Sequence, residues 1–206
     1  MSHRVDTTSI HRSVFLLLNL CYAAEPFGKA HDLATLDETD SMGGPYYVGW
    51  LKFTLSEMLI EIAIKTRIFL DLARSIDAVR SAQPKHQVID VYELDQSVSE
   101  KYNLGFFAGS SETVCIREAC NKIIHAIQVL PLLERGDDEH YLDEESDVKR
   151  EWQYWDGSLE LTGTKGQTGW SFTLYVSEFS RALDEFVDTL EKALNVEPAH
   201  RASEVF

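Results

Sequence analysis

Three polar side chains, Arg117, Asn121 and His125, recur at four-residue steps within one segment of apolar periodicity. Residues spaced by four lie on one face of an α-helix, so the three side chains are predicted to share a surface. An arginine presents a fork of donors that suits a phosphate, and a histidine exchanges a proton near neutral pH. The trio predicts phosphodiester cleavage without a metal, with His125 as base or acid on a ribose 2′-hydroxyl and the leaving oxygen, Arg117 stabilising the developing charge, and Asn121 orienting either.

A purely structural interpretation of the same residues is the alternative. Arg117 then pairs with Glu118, Glu112 or an acid from another helix, while Asn121 and His125 lie at a seam between helices. The two interpretations differ in geometry. An open shared face favours chemistry, whereas a buried ion pair and a packed histidine favour a structural role.

The stretch R-E-A-C-N-K-I-I-H-A from Arg117 to Ala126 resembles the signature helix of the HEPN (higher eukaryotes and prokaryotes nucleotide-binding) superfamily, in which an arginine is followed a few residues later by a histidine. Residues 59–71 resemble the second bundle helix of such proteins. The resemblance implies a helical up-and-down bundle that forms a homodimer with its two signature helices facing each other. It also implies a composite, metal-independent ribonuclease site, often in defence or toxin–antitoxin systems.

Carried over residue by residue, the resemblance assigns the role of the family's arginine to Arg117 and that of its histidine to His125. Asn121 is the polar residue between them. Here seven residues separate the arginine from the histidine, whereas the family usually has four to six, and an acidic residue follows the arginine. At a rise of about 1.5 Å per residue the two lie roughly 12 Å apart along the helix axis. They can therefore reach one phosphate only through long side chains or across a dimer.

The elements that would position these residues are mainly helical. Periodicity predicts helices over about 9–24, 48–82, 112–130 and 178–195, with proline or glycine ending the first three and Ser110 or Ser111 capping the third. A second apolar set in the second helix, Ile60, Ile64 and Ile68, predicts that this helix packs against two others.

Between the third and last helices the apolar period changes to two. Residues 152–176 are predicted to form a small antiparallel β-meander, with turns at Asp156-Gly157 and over 163–169, whereas residues 87–94 give only a weak strand signal. Residues 134–151 hold nine acids against three bases and predict a solvated acidic loop. The predicted fold is therefore one mainly α domain over 1–206, a four- to five-helix bundle with a β-meander before the C-terminal helix.

The composition of the chain argues against several classes of function. The formal net charge is −15, which argues against a protein that coats duplex nucleic acid through its overall field. The three cysteines match no metal or disulfide pattern, so a reducing, cytoplasmic location is expected, with no cofactor or metal. No segment approaches the roughly 20 apolar residues that span a bilayer, so no membrane association is expected.

The sequence thus predicts an RNA-binding or RNA-cleaving protein. The alternative is a non-catalytic acidic module that binds a basic or nucleic-acid-binding protein partner. A structural dimer without a ligand is a third interpretation.

Overall fold

The computed structural model describes residues 7–31, 44–80, 90–110, 112–137 and 151–194, which form five helices and four strands. The helices are α1 (Thr7–His31), α2 (Gly44–Arg80), α3 (Val91–Tyr102), α4 (Ile116–His125) and α5 (Val176–Leu194). The strands are β1 (Gly105–Phe107), β2 (Gln128–Asp137), β3 (Glu151–Lys165) and β4 (Thr168–Tyr175). A mainly α fold with a small antiparallel sheet before the C-terminal helix is therefore confirmed.

The sheet has the strand order β1-β4-β3-β2, and every neighbouring pair is antiparallel. Alternate residues of β3 and β4, such as Leu159, Leu161, Phe172 and Leu174, are fully buried and join the core that the helices form. Period-two burial of this kind is what a strand with one covered face requires. The sheet thus packs one face on the helices.

The first helix continues past the proline that was predicted to end it. Pro26 lies inside α1, which extends to His31. The extra turns are held by tertiary contacts, since Phe27 stacks on Tyr47 with ring centroids 5.2 Å apart. A Cβ on Gly28 would lie only 2.5 Å from the carbonyl oxygen of Gln153, so this turn packs closely on β3. Such contacts offset the backbone hydrogen bond that proline removes.

The weak strand signal over 87–94 is wrong for its described part, because α3 begins at Val91. Asp90 is its N-cap, and the carboxylate oxygen Oδ1 accepts hydrogen bonds from the backbone N–H groups of Tyr92 (2.8 Å) and Glu93 (3.1 Å). An aspartate in extended conformation with both bonds is a strong helix start. This local capping outweighs the β-branched composition that suggested a strand.

The third predicted helix is shorter than expected, because α4 spans only Ile116–His125 and β2 occupies the rest of the pattern. Ala126 adopts extended backbone, and the N–H of Ile127 donates to the carbonyl oxygen of Thr162 at 2.8 Å. Pro131, which cannot donate to a ladder, pairs with Leu159 on a strand at the end of the sheet order, where proline is tolerated. Pairing with β3 therefore replaces the last turns of the predicted helix.

The predicted turn at Asp156-Gly157 is also wrong, because β3 runs continuously through it. The register with β2 changes from Pro131 opposite Leu159 to Leu133 opposite Trp155, so β3 carries extra residues at this point. Gly157 has a φ of +87°, which glycine adopts without strain. The Asp-Gly pair thus forms a β-bulge rather than a hairpin turn.

As predicted, α2 packs against two other helices, α1 and α4, but its second apolar set stays outside this packing. Ile60, Ile64 and Ile68 are all exposed, whereas Leu55, Leu59 and Ile62 on the other side of the helix are buried. α2 consequently has one covered and one uncovered apolar face.

The last helix, α5, begins at Val176, so Ser177, which was expected to cap it, lies in its first turn instead.

Parts of some predictions lie outside the described residues. These include most of the acidic loop and the tail after α5, although Glu134–Asp137 and Glu151, predicted as loop, lie in β2 and β3. No described helix is both long and apolar enough to cross a membrane.

Candidate anion-binding site

The segment that carries the predicted site residues is anchored at both ends by other elements. At the start of α4, the buried carboxylate of Asp95 on α3 accepts hydrogen bonds from the backbone N–H groups of Ile116 (2.7 Å) and Arg117 (3.2 Å). The hydroxyl of Ser99 lies 3.2 Å from the N–H of Ile116. A carboxylate at a helix N-terminus satisfies free donors and complements the helix dipole. α4 thus begins at a position set by α3.

The end of α4 rests on the sheet through a glycine. A Cβ on Gly163 of β3 would lie 2.9 Å from the carbonyl oxygen of His125 and 2.2 Å from Cζ2 of Trp170, its cross-strand partner. Only glycine lets the helix end and the indole ring pack this closely on the strand. This contact brings the tip of the β3–β4 hairpin next to the helix.

A cavity of about 530 Å³ opens between α2, α4 and this hairpin. Arg117, Asn121 and His125, the three residues predicted from their spacing, all line it. The complete lining is Arg67 from α2, Arg117, Glu118, Asn121, Lys122 and His125 from α4, Thr164 and Lys165 from β3, and Trp170 from β4. The structure therefore brings the predicted residues together and adds others from two further elements.

The cavity lining is basic although the molecule is acidic. It holds four Lys or Arg side chains and one histidine but only one carboxylate, whereas the whole chain carries a net charge of −15. Concave walls of low dielectric strengthen the potential of charges of one sign that line them. The lining thus suits an anionic ligand.

Asn121 joins two elements rather than orienting Arg117 or His125. Its side-chain carbonyl accepts a hydrogen bond from Nη1 of Arg67 on α2, and its amide donates to Glu118 at 3.3 Å. Glu118 in turn pairs with Lys122 at 3.4 Å. Asn121 therefore fixes the Arg67 guanidinium at the cavity wall.

Arg117 is held by an acid from another helix, as the structural interpretation predicted. Its Nη2 lies 3.5 Å from Oδ1 of Asp71 on α2, in a partly exposed pair. Its Nη1 is buried and has no hydrogen-bond partner among the described residues, and the same holds for Nε of Arg67. These two nitrogens are shielded from solvent, so a ligand in the cavity would meet other N–H donors of the two guanidinium groups that line it.

Lys122 is held between two aromatic rings. Its ammonium lies 4.6 Å from the ring centroid of Trp170 and 5.0 Å from that of Phe107 on β1. Cation–π contacts at such distances stabilise a charged ammonium. The lysine charge is thus positioned by the sheet.

His125 occupies the last position of α4 and is exposed. Within the described part of the chain, its imidazole forms no hydrogen bond and no ion pair, and it lines the cavity. This placement does not match the packed histidine of the structural interpretation. An imidazole that is exposed and uncommitted can meet a ligand directly.

Sequence reasoning missed Arg67, Lys122, Lys165 and Trp170. Lys122 follows Asn121 in the predicted helix, and Arg67 belongs to the segment that resembles a HEPN bundle helix, yet neither shows a pattern that marks a site. The pairing of Gly163 with Trp170 across a hairpin is the one available signal, since an aromatic residue often covers a strand glycine.

The described residues give less support to a metal site or to a cysteine nucleophile. No three His, Cys, Asp or Glu side chains of the described chain are placed to hold a metal ion. Cys120, next to Asn121, is completely buried, and burial raises the pKa of its thiol far above its usual value. It is therefore unsuited to act as a nucleophile.

Comparison of the chain with protein-family models, with curated proteins and with solved structures gives no match. The class that the fold and cavity define is accordingly a mainly α protein with a basic cavity between helix and hairpin.

Proposed function

We propose that this protein is a HEPN-like RNA-binding protein that cleaves RNA without a metal ion, in the cytoplasm and within a defence or toxin–antitoxin system. The observation that carries the proposal is the basic cavity, in which Arg67, Arg117, Lys122 and Lys165 surround the exposed His125. The free state of the described cysteines agrees with a reducing compartment. The HEPN assignment itself rests on the resemblance of the α4 segment.

The phosphate of the RNA backbone is the group that this lining recognises best. The two guanidinium groups that line the cavity can bind phosphate oxygens, and the ammonium of Lys165 forms no ion pair with a described residue. Because Asn121 and Asp71 already hold Arg67 and Arg117, little side-chain freedom is lost on binding.

Cleavage would use the ribose 2′-oxygen as the nucleophile. His125 takes the proton of the 2′-hydroxyl while that oxygen forms a bond to the adjacent phosphorus and the bond from phosphorus to the 5′-oxygen breaks. Arg117 lies roughly 12 Å from His125 along the helix axis, so it would have to extend its long side chain along the cavity to stabilise the charge that develops on the oxygens of the same phosphate. The 5′-oxygen takes a proton from water, and His125 releases its own to solvent. The products are a 2′,3′-cyclic phosphate and a 5′-hydroxyl.

The test is cleavage of a mixed pool of single-stranded and structured RNA in the presence of a chelator. His125→Ala is expected to lower the rate by about 10²- to 10⁴-fold, the range for losing a general base. Arg117→Ala should lower it by about 10²- to 10³-fold, as removal of a charge-stabilising donor does. Arg181→Ala, which removes an exposed arginine of α5 outside the cavity, is the matched control and should leave the rate unchanged.

Binding measured by fluorescence anisotropy separates the two parts of the proposal. If the wild type binds RNA but does not cleave it, the proposed cleavage activity is contradicted and the proposed RNA binding is supported. Neither binding nor cleavage by well-folded protein would contradict both, and would favour the acidic module for a basic protein partner.

A further inference from the structure

Arg67 is held nearer to His125, measured along α4, than Arg117 is. Its Nη1 donates a hydrogen bond to the side-chain carbonyl of Asn121, which lies one helical turn before His125. At a rise of about 1.5 Å per residue, Asn121 and His125 are about 6 Å apart along the helix axis, whereas Arg117 and His125 are about 12 Å apart. The shorter separation suits two groups that each form a hydrogen bond of about 3 Å to oxygens of one phosphodiester.

The contacts between α2 and α4 fix this order along the cavity. Arg67 meets Asn121, and Asp71, one turn later on α2, has its Oδ1 3.5 Å from Nη2 of Arg117, one turn earlier on α4. The two helices therefore run antiparallel past the cavity. Arg117 is thereby held at the end of the cavity that is farther from His125.

The two guanidinium groups also differ in how far their charge is compensated. Among the described residues, Arg67 forms a hydrogen bond only to the neutral amide of Asn121 and pairs with no carboxylate. Arg117 instead forms an ion pair with Asp71. Glu118, the one carboxylate of the lining, lies 3.4 Å from a lysine of its own helix. Because opposite charges attract across a short distance, a guanidinium without a carboxylate partner offers an anion the stronger interaction.

We propose that Arg67 is a catalytic residue of the RNA cleavage, an inference that rests on the proposed function. His125 takes the proton of the 2′-hydroxyl, the 2′-oxygen forms its bond to phosphorus, and the bond from phosphorus to the 5′-oxygen breaks. During these bond changes the guanidinium of Arg67 donates hydrogen bonds to the phosphate oxygens, on which negative charge develops, and it neither gains nor loses a proton. Asn121 is the positioning residue that holds this guanidinium one turn from His125.

The test measures kcat and KM of the full chain, with a chelator present, on one labelled oligoribonucleotide that the wild type cleaves. Arg67→Ala is expected to lower kcat by about 10²- to 10³-fold, as the loss of a charge-stabilising donor does. Its Kd for the analogue with a 2′-deoxyribose at the cleaved position should rise less than tenfold, because the interaction strengthens only as charge develops. A loss of affinity as large as the loss of rate would assign Arg67 to substrate binding alone and overturn the proposal.

Matched variants separate a catalytic role from a structural one. Arg74→Ala removes an exposed arginine of the same helix outside the cavity lining and should leave kcat unchanged. Arg67→Lys keeps the charge but not the planar fork of donors, so its kcat should lie between those of the wild type and Arg67→Ala. Circular dichroism checks the fold of each variant, and Arg67→Lys alone carries the test if Arg67→Ala does not fold.

Asn121→Ala tests the positioning role. It should lower kcat in the wild-type background but have little further effect in the Arg67→Ala background, because it acts through Arg67. Losses that add in the double variant would contradict this role.

The failure of this inference differs from the failure of the proposed function. If His125→Ala abolishes cleavage while Arg67→Ala leaves kcat at the wild-type value, the proposed function stands and the role of Arg67 is contradicted. If well-folded wild type cleaves no RNA, both are contradicted.

Discussion

Individual side chains in the cavity are positioned by partners on other elements. Asn121 and Asp71 hold Arg67 and Arg117, and two aromatic rings hold Lys122. Each contact crosses between α2, α4 and the sheet. Donors that are fixed before a ligand arrives bind it with less loss of conformational entropy. The cavity is therefore preorganised at the level of single residues.

A second group of polar contacts between individual side chains joins α1 to α5. Nδ1 of His11 is 2.7 Å from Oδ1 of Asp184, and its Nε2 is 3.4 Å from Oε2 of Glu191, whose side chain is buried. The hydrogen bond to Asp184 is the main reason that the pKa of His11 is raised above its usual value, with the charge of Glu191 adding to it and burial opposing it. The protonated imidazole thus joins two carboxylates of α5 to α1.

The stability of the fold is expected to fall as the pH rises through the folded-state pKa of His11. Because this pKa lies above the unfolded value of about 6.5, the stabilisation is complete below about pH 6.5 and is lost above it. Urea unfolding at about pH 6 and about pH 8 measures the change. His11→Gln should reduce the difference between the two values. An equal difference in wild type and variant would show that other groups cause it.

At the scale of elements, two devices position α4 and the sheet around the cavity. Asp95 on α3 caps α4 from another helix, which replaces the local serine cap expected from the sequence. Gly163 faces Trp170, and Gly136 faces Trp152 in the same way, so two glycine–tryptophan pairs let rings lie flat on the sheet. The cavity geometry depends on both devices.

Asp95→Ala is expected to lower the free energy of unfolding by about 1–3 kcal/mol, because it leaves buried donors at the start of α4 unsatisfied. It should also weaken RNA binding, since α4 carries most of the cavity lining. Urea titration and anisotropy measure the two effects. Asp90→Ala removes an exposed cap on α3 and is the control, which should destabilise less and leave RNA affinity at the wild-type value. Equal effects of the two variants would contradict the role given to Asp95.

At the scale of the whole molecule, a basic cavity lies in a strongly acidic chain. The net charge of −15 would repel the proposed RNA ligand at long range, while the four basic side chains that line the cavity would attract it there. Salt screens the long-range term first, since exposed charges interact weakly beyond the Debye length. The molecule should therefore bind RNA locally rather than along its surface.

The salt dependence of RNA binding follows from these two terms. Four phosphate contacts to single-stranded RNA would give a slope of about −3 for the logarithm of the association constant against that of the salt concentration. Repulsion from the acidic surface opposes this, so we expect a shallower slope. Anisotropy with a short labelled RNA over a range of salt concentrations measures it, and Lys165→Gln should bring the slope closer to zero. A slope steeper than about −3 would reveal a further basic surface.

The sequence by itself determined the elements whose pattern is local and repeated. The amphipathic helix α5, the long helix α2 and the period-two strands β3 and β4 are predicted because one face of each must be buried, and this requirement is written in residue spacing. The shared face of Arg117, Asn121 and His125 follows from helical geometry in the same way. The resemblance to the HEPN superfamily predicted nothing about the sheet, because it covered only two helices directly.

Tertiary structure alone decided where elements end and what completes the cavity. Pro26 stays helical because of contacts with α2 and β3, and the segment after His125 becomes β2 because β3 offers a ladder. Arg67 and Trp170 reach the cavity from positions about 50 residues away on either side of α4. Such contacts join residues that are distant in the chain, so their free energy depends on the packed arrangement. They therefore produce no periodic pattern in the sequence from which they could be predicted.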